Sequence, residues 1–142
     1  MAGLAELHST SQSKNDFWSW RKIMYELALN ITPLQMENIA TMLYKEMLRN
    51  GYTHVAEFHY LHHDLNGEPF NNLSEMGERL ISAAKRAGIK ITLVPIFYQN
   101  GGFGRKPENE QRRFLSETFD DYTKLIASSA SSVKNYKYAS LA

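Results

Sequence analysis

The lengths of the links between its predicted helices and strands constrain this chain more than any other feature. Two amphipathic segments end at glycines, Gly51 and Gly88, and a predicted strand begins within one or two residues of each. Links from strand to helix are about ten residues long. Alternation of this kind predicts parallel strands joined by right-handed crossovers. Because long loops leaving the carboxyl ends of strands form the functional face of α/β enzymes, we predict an α/β fold.

The helix with the clearest boundaries is predicted to begin after Thr32. Thr32 can act as N-cap, Pro33 suits the first helical position, and Gln35 is placed for a capping box. Gly51 predicts where the helix stops. The apolar spacing predicts one buried helical face, formed by Met36, Ile39, Ala40, Leu43 and Met47.

The other predicted elements continue the alternation. Helices are predicted over 16–29, 73–87 and about 109–133, and strands over 52–61 and 89–98, with a further strand beginning near Tyr136. Segment 89–98 is largely apolar, as is typical of a strand buried on both faces. A (β/α)8 barrel needs about 250 residues, so this chain could supply part of a barrel. A small open α/β sheet is the alternative.

Charge and composition exclude several classes of function. The formal net charge is +1, from 16 basic and 15 acidic residues, so no general attraction to nucleic acid or anionic membranes is expected. The absence of cysteine excludes a disulfide framework and thiolate metal ligands. The longest apolar run, 91–98, is far shorter than a membrane span. We therefore predict a soluble, cytoplasmic protein.

Four of the five histidines lie close together in sequence, at His54, His59, His62 and His63, with Glu57 and Asp64 among them. Imidazole and carboxylate are common zinc ligands. In a strand, however, Glu57 and His59 point to one face and His54 to the other. The spacing matches no established zinc motif. A polar pocket at the strand end is therefore favoured over metal ligation, and no metal ligand is predicted in this chain.

Two further residues are candidates for substrate binding. Tyr60 ends a predicted strand, where its phenol could hydrogen-bond a carboxylate or carbonyl; an aromatic that caps the core is the alternative. Arg21 follows Trp18 and Trp20 at the start of a helix, and arginine suits bidentate carboxylate recognition. A solvated charge beside two packing tryptophans is the alternative for Arg21.

The segment 101–105, Gly-Gly-Phe-Gly-Arg, has the glycine content of a loop that binds phosphate through backbone amides. It lacks the lysine-serine pair of a nucleotide-binding loop, and its glycine spacing differs from the dinucleotide pattern. We predict a mobile active-site loop instead. No arrangement of serine or cysteine with histidine stands out, and no catalytic residue is predicted.

Several of these segments together resemble the formiminoglutamate deiminases, a family of the amidohydrolase superfamily. The tryptophan-arginine block and the Glu-Phe-His-Tyr block are specific in combination, and the segments follow the family order across nearly the whole chain. The matching segments are 1–6, 17–21, 51–60, 62–64, 102–104 and 111–114.

The resemblance implies a fold and a reaction. The fold would be part of a metal-dependent (β/α)8 barrel, with residues 1–142 as a single partial barrel segment. The complete enzyme would use a zinc-bound water to convert N-formimino-L-glutamate, in histidine degradation, to N-formyl-L-glutamate and ammonia. Arg21 and Tyr60 match substrate-binding positions of the family, and a small dicarboxylate substrate makes both roles physically sensible.

This sequence also departs from the family pattern. It contains no His-x-His, which in the family lies just before the segment matched by Met1, and the other metal ligands lie beyond the segment matched by Ala142. We therefore expect an internal fragment that binds no zinc and is inactive by itself. A guanine deaminase-like amidohydrolase and a non-catalytic remnant or assembly module are the alternatives. Open barrel edges would favour self-association.

Overall fold

A computed structural model describes residues 17–142, with side chains described from residue 20 onward. The start of the first predicted helix at Asp16, the side chain of Trp18 and the matching segment 1–6 lie outside these described residues. In chain order the elements are α1 (Phe17–Ala28), α2 (Pro33–Arg49), β1 (His54–His59), α3 (Glu75–Ala87), β2 (Lys90–Pro95), α4 (Phe119–Ser132) and β3 (Ala139–Leu141). Short 3-10 turns lie at Asn109–Gln111 and Val133–Asn135.

The three described strands form one parallel sheet in the order β1-β2-β3. His54 is in register with Lys90, and Ile91 with Ala139. The long loops 60–74 and 96–118 both leave the carboxyl ends of their strands. The prediction of an α/β fold with parallel strands is therefore confirmed. The third strand begins at Ala139 rather than near Tyr136, whose hydroxyl donates to the Ile89 carbonyl at 3.2 Å.

The boundaries of α2 agree with the prediction, and its buried face agrees in part, since Ala40 is buried and Met36 and Met47 pack against the core. Thr32 and Gln35 form the capping box, with the Thr32 N–H donating to Gln35 Oε1 at 2.9 Å. Ile39 and Leu43, predicted to be buried, are 47% and 53% exposed. The buried residues of α2 are Glu37, Ala40, Thr41 and Tyr44. Two of these buried residues have polar partners on neighbouring elements: Glu37 forms ion pairs with Arg79 and Arg86, and Tyr44 donates a hydrogen bond to Glu57.

The main core lies between the sheet and the helices α2 and α3. Leu80, Ile81 and Ala84 of α3 are buried as predicted, and α3 ends at Gly88, whose φ of +88° favours glycine. The prediction that 89–98 is buried on both faces is wrong. Burial alternates along β2, because among the described elements only one face packs against helices.

The other face of the sheet carries a row of polar side chains. His54 Nε2 lies 2.9 Å from Thr92 Oγ1, which lies 2.8 Å from Ser140 Oγ. Each of these residues belongs to a different strand, so the row crosses the whole sheet. Phe58, on the same face of β1, is exposed.

The helix predicted over 109–133 is interrupted. A single 3-10 turn covers Asn109–Gln111, and α4 begins only at Phe119, where Thr118 forms a new capping box with Asp121. Between them, Arg113 and Phe114 are fully buried against distant parts of the chain. These long-range contacts outweigh the local helical preference of the segment. None of the helices in the described part of the chain is long and apolar enough to cross a membrane.

Candidate functional site

Two tyrosines follow the carboxyl ends of neighbouring strands. Tyr60 directly follows β1, and Tyr98 lies three residues after the end of β2. Their rings stack with centroids 6.3 Å apart, and Phe114 packs edge-on against Tyr60 at 4.8 Å. Tyr25 of α1 packs against Phe114 at 5.7 Å. We call these four residues the tyrosine cluster; it lies at the edge of the sheet from which the long loops emerge.

Arg21 packs on the tyrosine cluster through Tyr25, one helical turn further along α1. Its guanidinium carbon lies 5.0 Å from the Tyr25 ring centroid, and its Nε donates to the Tyr25 hydroxyl at 2.7 Å. The hydrogen bond to Tyr25 raises the pKa of Arg21, so the side chain stays cationic. This bond and the cation–π contact with Tyr25 restrict the orientation of the guanidinium, which favours bidentate binding of a carboxylate.

Tyr60 is half-buried and packs in the same cluster as Tyr25. Its hydroxyl donates to Met24 Sδ at 3.4 Å. Burial raises the pKa of Tyr60, while the charge of Arg21 acts in the opposite sense, so the phenol is a neutral donor at pH 7. Because a thioether is a weak acceptor, a ligand oxygen would compete well for this donor. The structure therefore brings Arg21 and Tyr60, which are 39 positions apart in sequence, to one aromatic cluster.

A cleft of about 620 Å³ opens beside Arg21, between α1 and the loop that follows β2. Positive and negative side chains both line it, so it is not a site for a simple polyanion. The lining residues are Arg21, Lys22, Tyr25, Glu26, Leu29, Gly101, Arg105, Glu108 and Glu110.

Part of the cleft wall is a tight glycine turn. The Arg105 N–H donates to the Gly102 carbonyl at 3.1 Å, and Gly104 has a φ of +67°. A Cβ at Gly101 would lie 2.4 Å from the Lys106 carbonyl oxygen, so this position admits only glycine. The segment 101–105 thus borders the candidate site, and its predicted mobility stays a prediction.

Sequence reasoning missed two buried residues beneath the cleft. Gln111 donates from Nε2 to the hydroxyls of Tyr98 at 2.8 Å and Tyr25 at 3.1 Å. Arg113 donates to the carbonyls of Ile31 at 2.8 Å and His63 at 2.9 Å, and also to Ala28. Arg113 therefore ties the end of α1 to the loop after β1.

Three of the histidines, His59, His62 and His63, lie close together, but His54 does not. The ring nitrogens of His54, His62 and His63 face separate partners. His63 Nε2 lies 2.6 Å from the Leu115 carbonyl, His62 Nε2 lies 3.1 Å from the Ile96 carbonyl, and His54 belongs to the polar row on the sheet. Glu57 accepts a hydrogen bond from Tyr44 at 2.7 Å. Among residues 17–142, no three side chains of the metal-binding types come together as a metal site. Here the histidines fix loops at the strand ends.

Comparison with known proteins places this geometry in context. No protein-family model matches the chain. A curated relative, formimidoylglutamate (formiminoglutamate) deiminase from Pseudomonas aeruginosa, is 48% identical over 117 residues, which is 82% of this chain and 25% of that protein. The crystal structure of an amidohydrolase from Brucella melitensis matches with a TM-score of 0.90 and 46% identity, over 99% of this chain and 31% of that one.

The resemblance predicted from the sequence is confirmed by both comparisons. The chain spans about a quarter of the length of the curated relative that it matches.

Proposed function

We propose that this chain is part of a C–N hydrolase that converts N-formimino-L-glutamate to N-formyl-L-glutamate and ammonia. We also propose that its three parallel strands form part of a (β/α)8 barrel. Similarity to an amidohydrolase over nearly the whole chain supports the barrel, and similarity to a formimidoylglutamate deiminase supports the substrate. In this reaction water adds to the formimino carbon, the bond to the terminal nitrogen breaks, and ammonia leaves.

The observation that carries the proposal is that Arg21 packs on the tyrosine cluster through Tyr25, and that Tyr60 belongs to the same cluster through its contact with Phe114. Arg21 supplies a fixed cation and Tyr60 a neutral hydrogen-bond donor. N-formimino-L-glutamate carries two carboxylates, and a guanidinium held in one plane pairs with a carboxylate through two parallel hydrogen bonds. In the proposed function, Arg21 and Tyr60 bind the substrate and do not perform the bond cleavage.

A metal is implied for the complete enzyme by the resemblance. Residues 17–142 do not bring together three side chains that would hold zinc, so the donor set described here does not fit a metal centre. No step of the reaction is therefore assigned to a metal held by these residues. In the proposed function, the residues of this chain contribute to substrate binding. The cytoplasmic location stays a prediction.

The proposal is tested in a chimera, in which this chain replaces the matching segment of the Pseudomonas aeruginosa enzyme. We expect ammonia release from N-formimino-L-glutamate. Arg21→Ala should raise KM roughly 10- to 100-fold, because a charged hydrogen-bonded contact is lost, and Tyr60→Phe roughly fivefold. Steady-state kinetics with an ammonia assay measure both effects.

Matched controls use the same substitutions at exposed positions. Arg49→Ala removes an arginine whose side chain is 77% exposed, and Tyr52→Phe changes a tyrosine that is 59% exposed; neither should alter KM. An active chimera in which Arg21→Ala leaves KM for N-formimino-L-glutamate unchanged would contradict the proposed site. Activity on guanine alone would favour the guanine deaminase-like alternative, and an inactive, well-folded chimera would favour a non-catalytic module.

A further inference from the structure

The side chain of Gln111 lies fully buried beneath Arg21, and both ends of its amide are hydrogen-bonded. Its Oε1 accepts from the backbone N–H of Glu108 at 2.8 Å. Its Nε2 faces the hydroxyls of Tyr98 and Tyr25, at 2.8 and 3.1 Å. Because a backbone N–H can only donate, the oxygen of the amide must face Glu108, and the orientation of the amide is fixed.

The fixed amide determines the hydrogen-bonding role of the two tyrosine hydroxyls. Nε2 donates to both phenol oxygens and, at 3.5 Å, to the Gly101 carbonyl, so both phenol oxygens serve as acceptors. The Tyr25 oxygen has two lone pairs, and it also accepts from Arg21 Nε at 2.7 Å. A continuous series of hydrogen bonds thus runs from the Glu108 backbone through Gln111 and Tyr25 to the guanidinium.

Burial makes this series rigid. Gln111 is 0% exposed and Tyr25 is 7% exposed, so water cannot easily replace either partner. Packing against Phe114 holds the Tyr25 ring, with the centroids 5.7 Å apart. Burial raises the pKa of Tyr98 to about 12, so its phenol keeps its proton at neutral pH.

We propose that Gln111 is a positioning residue for the carboxylate site, and that Tyr25 transmits its orientation to Arg21. The inference rests on the proposed function, because it assumes that Arg21 meets the substrate. It adds the residues that hold the guanidinium in place. A guanidinium held in one plane matches a planar carboxylate, which it binds through two parallel hydrogen bonds, better than it matches a spherical anion.

We call the hydrogen bonds from Gln111 through Tyr25 to Arg21 the relay. The test breaks the relay at two points in the 142-residue chain. Gln111→Met keeps the length of the side chain and removes its hydrogen bonds, and Tyr25→Phe removes a single oxygen while the ring still packs on Phe114. The matched control is Gln99→Met, an exposed glutamine that donates to the Glu117 carbonyl at 3.0 Å. Nitrogen-15 NMR measures the rate at which the Arg21 Nε–H exchanges with water.

In both relay variants we expect this exchange to become roughly tenfold faster, the ratio that corresponds to one net hydrogen bond. The control should exchange at the rate of the unsubstituted chain. Unchanged exchange in a folded Gln111→Met or Tyr25→Phe variant would overturn the relay. If Gln111→Met fails to fold, Gln111→Leu takes its place, because Tyr25→Phe removes the direct acceptor of the Arg21 Nε–H and by itself tests only the last bond of the relay.

Kinetics in the chimera separate this inference from the proposed function. Gln111→Met should raise KM for N-formimino-L-glutamate with little change in kcat, as a loss of substrate orientation by Arg21 predicts. Suppose that Nε–H exchange is faster in Gln111→Met and that Arg21→Ala has a normal KM. This result would support the relay and contradict only the proposal that Arg21 binds N-formimino-L-glutamate. Normal exchange together with an Arg21-dependent KM would overturn the relay and leave the proposed function intact.

Discussion

At the scale of single residues, two buried imidazoles lie beside the end of β1. The rings of His59 and His62 meet edge-on with centroids 5.0 Å apart. Burial lowers the pKa of His59 well below its ordinary value and that of His62 to about 4, although the hydrogen bond to the Ile96 carbonyl acts in the opposite sense on His62. Both rings are therefore neutral at pH 7. Since the carbonyl only accepts, the proton of His62 is on Nε2.

Because burial lowers the pKa of these histidines, we expect the folded chain to lose stability in acid. The pKa of His62 is about 4 in the folded chain and near 6.5 in the unfolded chain, so the unfolded state binds more protons between these values. Stability should be constant above about pH 7, fall as the pH drops through 6.5, and reach its full loss from His62, roughly 3 kcal/mol, below pH 4. Urea unfolding at a series of pH values measures this dependence.

The variant His62→Gln can still donate to the Ile96 carbonyl but does not titrate, so it should weaken the dependence on pH between 4 and 6.5. His54→Gln changes an exposed histidine on the sheet and serves as the control. A His62→Gln variant with the same pH profile as the unsubstituted chain would show that His62 is not the group responsible.

At the scale of elements, a buried carboxylate joins α2 to α3. Glu37 of α2 pairs with Arg86 at 3.0 Å and with Arg79 at 3.2 Å. Burial opposes ionisation of Glu37, but hydrogen bonds from Arg86 and Arg79 outweigh it, so its pKa lies below the ordinary value. This ion-pair network links the buried face of α2 to α3.

Replacing Glu37 by glutamine should destabilise the contact between the two helices. The amide would point an N–H₂ group at one guanidinium, so we expect a loss of about 1–3 kcal/mol in the free energy of unfolding. Glu46→Gln breaks the exposed pair with Arg49 and should change stability by less than about 0.5 kcal/mol. Chemical denaturation compares the two. Equal effects would mean that the Glu37 network is no stronger than a surface ion pair.

At the scale of the whole molecule, the described chain leaves apolar surface and strand edges uncovered. In residues 17–142, β1 and β3 each pair with a neighbouring strand on one side. Phe58 of β1 is exposed, and so are Ile39, Met42 and Leu43, which lie along one face of α2. Exposed edges and apolar helix faces of this kind promote association between chains.

We therefore expect the 142-residue chain to self-associate. Sedimentation velocity should show an average mass that rises with protein concentration, and substitution of both Ile39 and Leu43 by lysine should reduce that rise. Phe103→Ser is the control, because Phe103 is fully exposed in the glycine turn, away from both α2 and the strand edges. A monomer at all concentrations, with a sharp cooperative melt, would favour the stand-alone module instead.

Local chemistry made much of the fold predictable. The capping box at Thr32 and the glycine at Gly88 each act over a few residues, and both predictions are confirmed. The links are short before the strands and long after them, as predicted, but the long loops 60–74 and 96–118 exceed the predicted length of about ten residues. The interruption near Arg113 was not predictable in this way, since its partners Ala28, Ile31 and His63 lie 50 or more positions away. A local helical preference gives no sign of such contacts.

For the candidate site, the sequence identified Arg21 and Tyr60 by residue type and position, and whether they bind substrate stays a prediction. It gave no reason to choose Gln111, because the role of an amide depends on which phenols surround it. Tyr98 could have been found, since it follows a strand end as Tyr60 does, and Tyr25 lies one helical turn from Arg21.

The sequence alone thus determined the α/β class, the parallel order of strands and the boundaries of α2, because capping, glycine conformation and short links act between near neighbours. Only the tertiary structure decided which face of α2 is buried, where the last long helix begins and which residues hold Arg21. Those outcomes depend on pairs such as Glu37 with Arg86 and Gln111 with Tyr25, which are 49 and 86 positions apart. These pairs contribute to the free energy of folding only after the chain has brought the partners together and excluded water from between them.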